Sequence, residues 1–208
     1  MRALYPGLLL LVAICACAQA QDFRAEITPF AGYRYGGELD VAESDQAVKL
    51  KSSPAYGLLL DIYDPQGVGS FQFLYSQQRT DAEFEDPSLD RQRIDTVLHT
   101  LQFGGTYRGT RESLQPYLAA TIGATHITTS GRTRESDTFA SGSIGGGIHV
   151  RPIQRVDFLV EGRLHAALID NNTNLFCQTG PDANVCAVRV SGDLLLQAEV
   201  FAGVTIRF

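Results

Sequence analysis

Tryptophan is absent from this sequence, and one methionine and four cysteines occur in its 208 residues. Without tryptophan, any aromatic girdle at a membrane interface has to be built from tyrosine and phenylalanine. After the first twenty residues no apolar run approaches the roughly twenty residues of a transmembrane helix. That leaves strands as the only route across a bilayer, and their alternating polar residues hide them from hydropathy scans. Basic residues are outnumbered, 17 Lys and Arg against 23 Asp and Glu, for a net charge of −6. Such a balance argues against non-specific nucleic-acid binding. No low-complexity tract, linker or second domain can be marked, and no D-x-D-x-D-G calcium loop is present.

The N-terminus reads as an export signal. Met1-Arg2 is a short basic start, Leu8 to Ala18 is apolar, and Ala18-Gln19-Ala20 forms an A-x-A cleavage site. Residues 1–20 are therefore expected to be removed, leaving 21–208 as one domain. Arg2 leaves with them, so the net charge passes from −6 to −7. Ile14-Cys15-Ala16-Cys17 only loosely resembles a lipoprotein signal. Cys15 and Cys17 also depart, and Cys177 and Cys186 remain as an even pair in an oxidising compartment. The two are expected to form a disulfide. With no histidine or further cysteine beside them, zinc is the weaker reading.

What is abundant is period-two alternation. From Leu194 to Phe208 every even position is apolar, and from Gln197 the odd ones read Gln, Glu, Phe, Gly, Thr, Arg. Seven earlier segments alternate likewise: Phe23–Tyr35, Val48–Tyr63, Ser70–Gln78, Ile94–Tyr107, Leu114–Ile127, Phe139–Val150 and Val156–Ile169. Each has at least the nine to eleven residues, roughly, of a tilted membrane strand. The spacers 64–67, 108–112 and 151–155 are short and rich in turn residues. Those at 36–47, 79–93, 128–138 and 170–187 are long and polar. Short turns on the periplasmic side and long loops outside is the arrangement of outer-membrane barrels. The expected fold is all-β, an eight-stranded antiparallel up-and-down transmembrane barrel. Tyr33, Tyr35, Tyr63, Phe71, Tyr107, Phe158 and Phe208 are expected in its aromatic girdles.

The segments Ile27–Gly36, Gln115–Ala124 and Ser143–Ile148, with the aromatic ending Ile206-Arg207-Phe208, resemble strands of the small outer-membrane barrels grouped with OmpA, OmpW and OmpX. The resemblance implies a cell outer-membrane location, export through the cleaved signal, and Phe208 as the mark read by the barrel-assembly machinery. It implies outer-membrane lipids and lipopolysaccharide as surroundings, and a monomer. About activity it implies little.

The polar parity assigns Arg24, Glu26, Arg34, Lys49, Lys51, Asp61, Asp157, Glu161, Arg163, His165, Glu199 and Arg207 to the bore. Eight strands leave room only for side chains, so an ionic plug is expected, with opposite charges paired. A narrow conduit with switching pairs is the sharper alternative. A lipid A-modifying enzyme is another, from His126 with Ser130 and Asp137, or His165 with Glu161, though no motif supports it. His99 falls mid-strand on the apolar parity. Carboxylates crowd 38–45 and 81–90, where Ca²⁺ or Mg²⁺ could bind; no cofactor or resident metal is expected. Periodicity cannot say which face is inside, so a soluble periplasmic lipocalin-like binder stays open. The favoured function is structural or surface-interacting, without catalysis.

Overall fold

The computed structural model describes residues 24–40, 47–63, 69–84, 93–109, 114–130, 134–153, 155–169, 177–179, 184–186 and 194–208. The proposed cleavage site and the loop acids Glu43, Asp45, Glu85, Asp86 and Asp90 lie outside them. All regular structure is strand: β1 (Arg24–Tyr35), β2 (Glu38–Asp40), β3 (Ala47–Leu50), β4 (Ser53–Tyr63), β5 (Gly69–Phe84), β6 (Arg93–Arg108), β7 (Leu114–Ser130), β8 (Arg134–Ile153), β9 (Val156–Leu168), β10 (Cys177–Thr179), β11 (Asn184–Cys186) and β12 (Leu194–Arg207). Eight long strands, β1, β4 to β9 and β12, pair antiparallel with their neighbours, and β12 returns to β1. The ring of eight long strands closes without an edge, and β2 and β3 extend it on the loop side next to β5.

Pairing fixes the barrel's geometry. From Ala25 the partners run Ile62, Phe71, Gly105, Ala120, Ile144, Leu164, Ala198 and back to β1 at Tyr35. The circuit returns ten residues higher, since 35 − 25 = 10, which is the shear of the barrel. Ten residues of about 3.4 Å against eight strand spacings of about 4.8 Å tilt the strands by about 40°.

Exposure decides the question that periodicity left open. Leu101, Leu118, Ile122, Ile144 and Leu168 are each more than 60% exposed, while Arg34, Glu161, Arg163 and Glu199 are at most 2% exposed. Apolar side chains point out and charges point in, the reverse of a lipocalin. The outward row Leu114, Pro116, Leu118, Ala120, Ile122 and Ala124 on β7 covers about 26 Å of barrel height at that tilt, close to the roughly 25 Å apolar band of outer-membrane barrels. Tyr33 and Tyr35 lie outward at the loop end of this belt, and Phe71, Tyr107, Phe158 and Phe208 at the turn end. Tyr63 is a correction: its odd position in β4 puts it inside the bore, 5% exposed.

Strand runs into two of the long spacers. The β5–β6 ladder continues to Glu83 opposite Arg93, and the β7–β8 ladder to Ser130 opposite Arg134. Thr128, Thr129 and Thr138 are β-branched, and the hairpin carries them beyond the belt. In the last spacer, β10 and β11 form a separate hairpin whose register sets Cys177 opposite Cys186.

Between β3 and β4 the parity slips. Leu50 pairs with Ala82 and Ala55 with Gln78, so the index sum rises from 132 to 133. One extra residue at Lys51-Ser52 is a bulge that reverses the facing of β3. Leu50 is consequently buried, and Lys49 is exposed rather than in the bore.

Candidate functional site

The bore is the only part of the protein where charged chemistry is concentrated and ordered among the described residues. Its inward positions come from all eight long strands, and their charges form two neighbouring sets midway and a third at the turn end, with apolar packing among them.

Midway, Arg34 of β1 and Glu199 of β12 are cross-strand partners. Arg34 donates to Glu199 Oε2 from Nε at 3.1 Å and Nη2 at 2.7 Å, and Nη2 also donates to Ser76 Oγ at 2.7 Å. His165 Nε2 lies 2.8 Å from the same carboxylate oxygen. Beside this set, Arg163 Nε donates to Glu161 at 2.6 Å, and its Nη2 reaches across to Gln72 Oε1 at 2.9 Å. Gln102, Thr121 and Ser143 complete the net, with both hydroxyls 2.8 Å from Gln102 Oε1. Asp61 accepts from Ser70 at 3.0 Å and Gln72 at 3.1 Å. The Glu161–Arg163 pair fits only because β8 has glycine beside it. A Cβ on Gly145 would run into Glu161 Oε1 and lie 3.0 Å from Arg163 Nε.

At the turn end, Arg108 reaches Glu26 with both terminal nitrogens, at 3.3 and 3.0 Å, and its guanidinium lies 4.8 Å from the Tyr63 ring centre. Arg207 bridges Glu26 at 2.9 Å and Asp157. Arg151 lies 3.5 Å from Asp157 and donates to Gln115 at 3.1 Å. Arg108 Nη2 donates to His149 Nε2 at 3.1 Å.

Apolar layers lie among these sets. Phe30 and Phe201 pack with ring centres 4.3 Å apart, joined by Leu59, Leu74, Tyr117, Ala119 and Leu159. Phe30 has room because its partner on β4 is Gly57, where a Cβ would come within 2.6 Å of the ring. A second layer, including Leu98, Ile127, Phe139 and Leu195, fills the loop end. Guanidiniums of Arg34, Arg108, Arg151, Arg163 and Arg207 match carboxylates of Glu26, Asp61, Asp157, Glu161 and Glu199 in number. Pairing of this kind is what lets buried charge persist.

Of the expected bore residues, Glu26, Arg34, Asp61, Asp157, Glu161, Arg163, His165 and Glu199 are buried there, and Arg207 is part-buried at its mouth. Arg24 is exposed at the turn-end rim, and Lys51, beside the bulge, pairs with Glu83 at 2.6 Å. His165 sits on Glu199, whereas Glu161 belongs to Arg163. Arg108 was missed because it was assigned to a turn; the parity of Gln102 and Thr106, continued by one step, points it inward. His149 lay on the polar parity of its segment and belongs with the turn-end set.

On the outer face, His126 Nδ1 is 2.9 Å from Thr138 Oγ1, and His99 Nδ1 is 3.0 Å from the Tyr75 hydroxyl. Both histidines are outward at the loop-side border of the belt. Their ring nitrogens therefore engage Thr138 and Tyr75, and His126 is not bonded to Ser130 or Asp137 through Nδ1. Asp137 Oδ1 instead accepts from the Thr138 backbone at 2.9 Å. Among the described residues no cluster of His, Cys, Asp or Glu could hold a metal ion.

A closed eight-stranded sheet with an apolar exterior and a charged, filled interior is a transmembrane β-barrel of the outer-membrane type. No protein-family model matches the sequence, and no curated protein does. Solved structures do. Neisserial surface protein A aligns over 90% of this chain and 98% of its own, with a TM-score of 0.54 at 14% identity. OprG of Pseudomonas aeruginosa aligns over 89% and 95%, at a TM-score of 0.49 and 13% identity. Ail, the attachment invasion locus protein of Yersinia pestis, aligns over 88% and 99%, at 0.46 and 17%. The likeness to the Neisserial protein is one of fold, the fold that the resemblance to OmpA, OmpW and OmpX implied.

Proposed function

We propose that this protein is a non-enzymatic, non-conducting resident of the bacterial outer membrane, anchored by its belt and acting through the surface that its loop-end hairpins carry. The filled bore carries this reading. Arg163 to Gln72, Arg108 to Glu26 and Gln197 to Gln78 each join strands that are not neighbours and so reach across the interior. An ion entering would have to break buried, charge-assisted bonds with no water to replace them.

The β5–β6 and β7–β8 hairpins support the surface role. They stand beyond the belt and enclose, with Lys51, a cleft of about 440 Å³ lined by Arg79, Asp81, Asp95 and Ser130. Polar side chains of both signs on a rigid projecting sheet suit contact with other surface molecules.

The test is electrical. Purified protein reconstituted in planar bilayers is expected to be silent, while the same preparation shifts in gel mobility on boiling. Discrete conductance steps from the heat-modifiable species would overturn the reading.

A further inference from the structure

At the turn end the bore opens into a cavity of about 230 Å³ whose chemistry the surface role does not use. Its walls carry Arg24, Arg108, Arg151 and Arg207, with Tyr63, Gln115 and Glu26. The four arginines come from β1, β6, β8 and β12, so positive charge rings the mouth rather than lining one side. Among the described residues only Glu26 and Asp157 lie within ion-pair distance of these guanidiniums. The third carboxylate nearby, Asp61, is held by Ser70 and Gln72. Arg24 is exposed at the rim and forms no ion pair with any described residue.

Unused donors point the same way. The Tyr63 hydroxyl and Arg108 Nε are buried without a hydrogen-bond partner among the described residues, and Arg151 Nε has only Asp157 Oδ1, 3.5 Å away. Tyr63 is 5% exposed and Arg108 8%. Buried polar groups in folded proteins are almost always satisfied; the open Asp157 Oδ1 is matched by Arg151 Nε, and the Tyr63 hydroxyl and Arg108 Nε at the same cavity indicate a missing acceptor. Gln115 Oε1 is occupied by Arg151, which leaves its amide nitrogen as a further donor. What fits is an acceptor-rich anion small enough for the cavity. A tetrahedral oxyanion offers oxygens to several walls at once, whereas a planar carboxylate addresses one guanidinium fork.

We propose that the turn-end mouth is a binding site for a phosphate-type oxyanion, held by Arg24, Arg108 and Arg151 with the Tyr63 hydroxyl. The outward Tyr107, Phe158 and Ile206 place this end of the belt level with the headgroups of the inner leaflet. The phosphate is therefore either that of an inner-leaflet phospholipid or that of a free periplasmic solute, and the chemistry of capture is shared.

The full barrel in a non-ionic detergent should be titrated with inorganic phosphate by calorimetry, against chloride at equal ionic strength. Saturable one-to-one binding is expected. Tyr63→Phe removes a hydroxyl with no hydrogen-bond partner among the described residues, and Arg24→Gln removes a charge that forms no ion pair with any of them. Each should weaken phosphate binding about tenfold, the usual scale for losing one charge-assisted hydrogen bond, with heat-modifiable mobility unchanged. No saturable binding by the wild type, or equal affinity in all three proteins, overturns the site. Short-chain phosphatidylglycerol supplies the second arm. Competition with inorganic phosphate assigns the site to the lipid headgroup, and phosphate binding without competition assigns it to free phosphorylated solutes.

Discussion

Replacing Arg34 by methionine tests whether the bore is held by its ion pairs. Both partners are 1% exposed, and Glu199 Oε2 accepts three hydrogen bonds, two from Arg34 and one from His165. At 2.7 Å the Coulomb attraction amounts to about 6 kcal/mol for an effective dielectric near 20. Desolvation offsets much of that in the intact pair. Removing the guanidinium alone leaves the desolvation of Glu199 standing, and the expected loss is about 3–5 kcal/mol. Ser76 loses its donor as well. Taking Glu199 to methionine in the same chain removes the stranded charge. The double variant should then regain about 2 kcal/mol over Arg34→Met, with only Ser76 and His165 left to find other partners.

The assay is urea unfolding in phospholipid vesicles, read by mobility of unboiled samples and by far-ultraviolet circular dichroism. Tryptophan fluorescence is no option in this chain. If the double variant is no more stable than Arg34→Met, the pair does not govern the bore, and the account of a charge-stapled interior is wrong.

Phe30→Ala should cost about 3–5 kcal/mol by emptying the aromatic layer against Phe201, checked in the same urea titration; a loss under about 1 kcal/mol would mean the layer collapses freely. Ile144→Arg puts a charge on the lipid face, where Ile144 is 62% exposed, and should destabilise the membrane-inserted protein by about 2–4 kcal/mol. A soluble barrel would tolerate that change at an exposed site. Cys177 and Cys186 should resist alkylation until the unfolded protein is reduced, as their register in β10 and β11 suits a disulfide. Labelling of both thiols without reductant would refute the bond.

Alternation carried the architecture because one face of each strand meets lipid and the other meets a filled bore, so the chemical contrast repeats at every second residue. Val156–Leu168 and Leu194–Arg207 are the clearest, and their parity survives intact. Alternation by itself is symmetric under turning the sheet over, so the facing had to come from strand length, the short and long spacers and the aromatic ending. Local sequence also says nothing of the extra residue at Lys51-Ser52, since the bulge is defined by the partner strand β5. That is why Lys49 was placed in the bore. Phe30 and Phe201 break the polar parity yet belong inside, where glycine on the neighbouring strands yields the space. The ion pairs themselves were invisible. Arg163 and Gln72 are 91 residues apart, and only closure brings them together.

The seam between β1 and β12 joins the two ends of the barrel sheet, and four side-chain contacts double it on the inside. Behind the backbone ladder stand Glu26 with Arg207, Thr28 with Thr205, Phe30 with Phe201, and Arg34 with Glu199. These contacts span the largest sequence separations in the protein, so the entropy of closing the chain into a ring falls on them last. A barrel that opened here to let a lipid tail slip sideways into its interior would have to undo all four together. The seam acts as a lock that keeps the hydrocarbon of the bilayer on the outside.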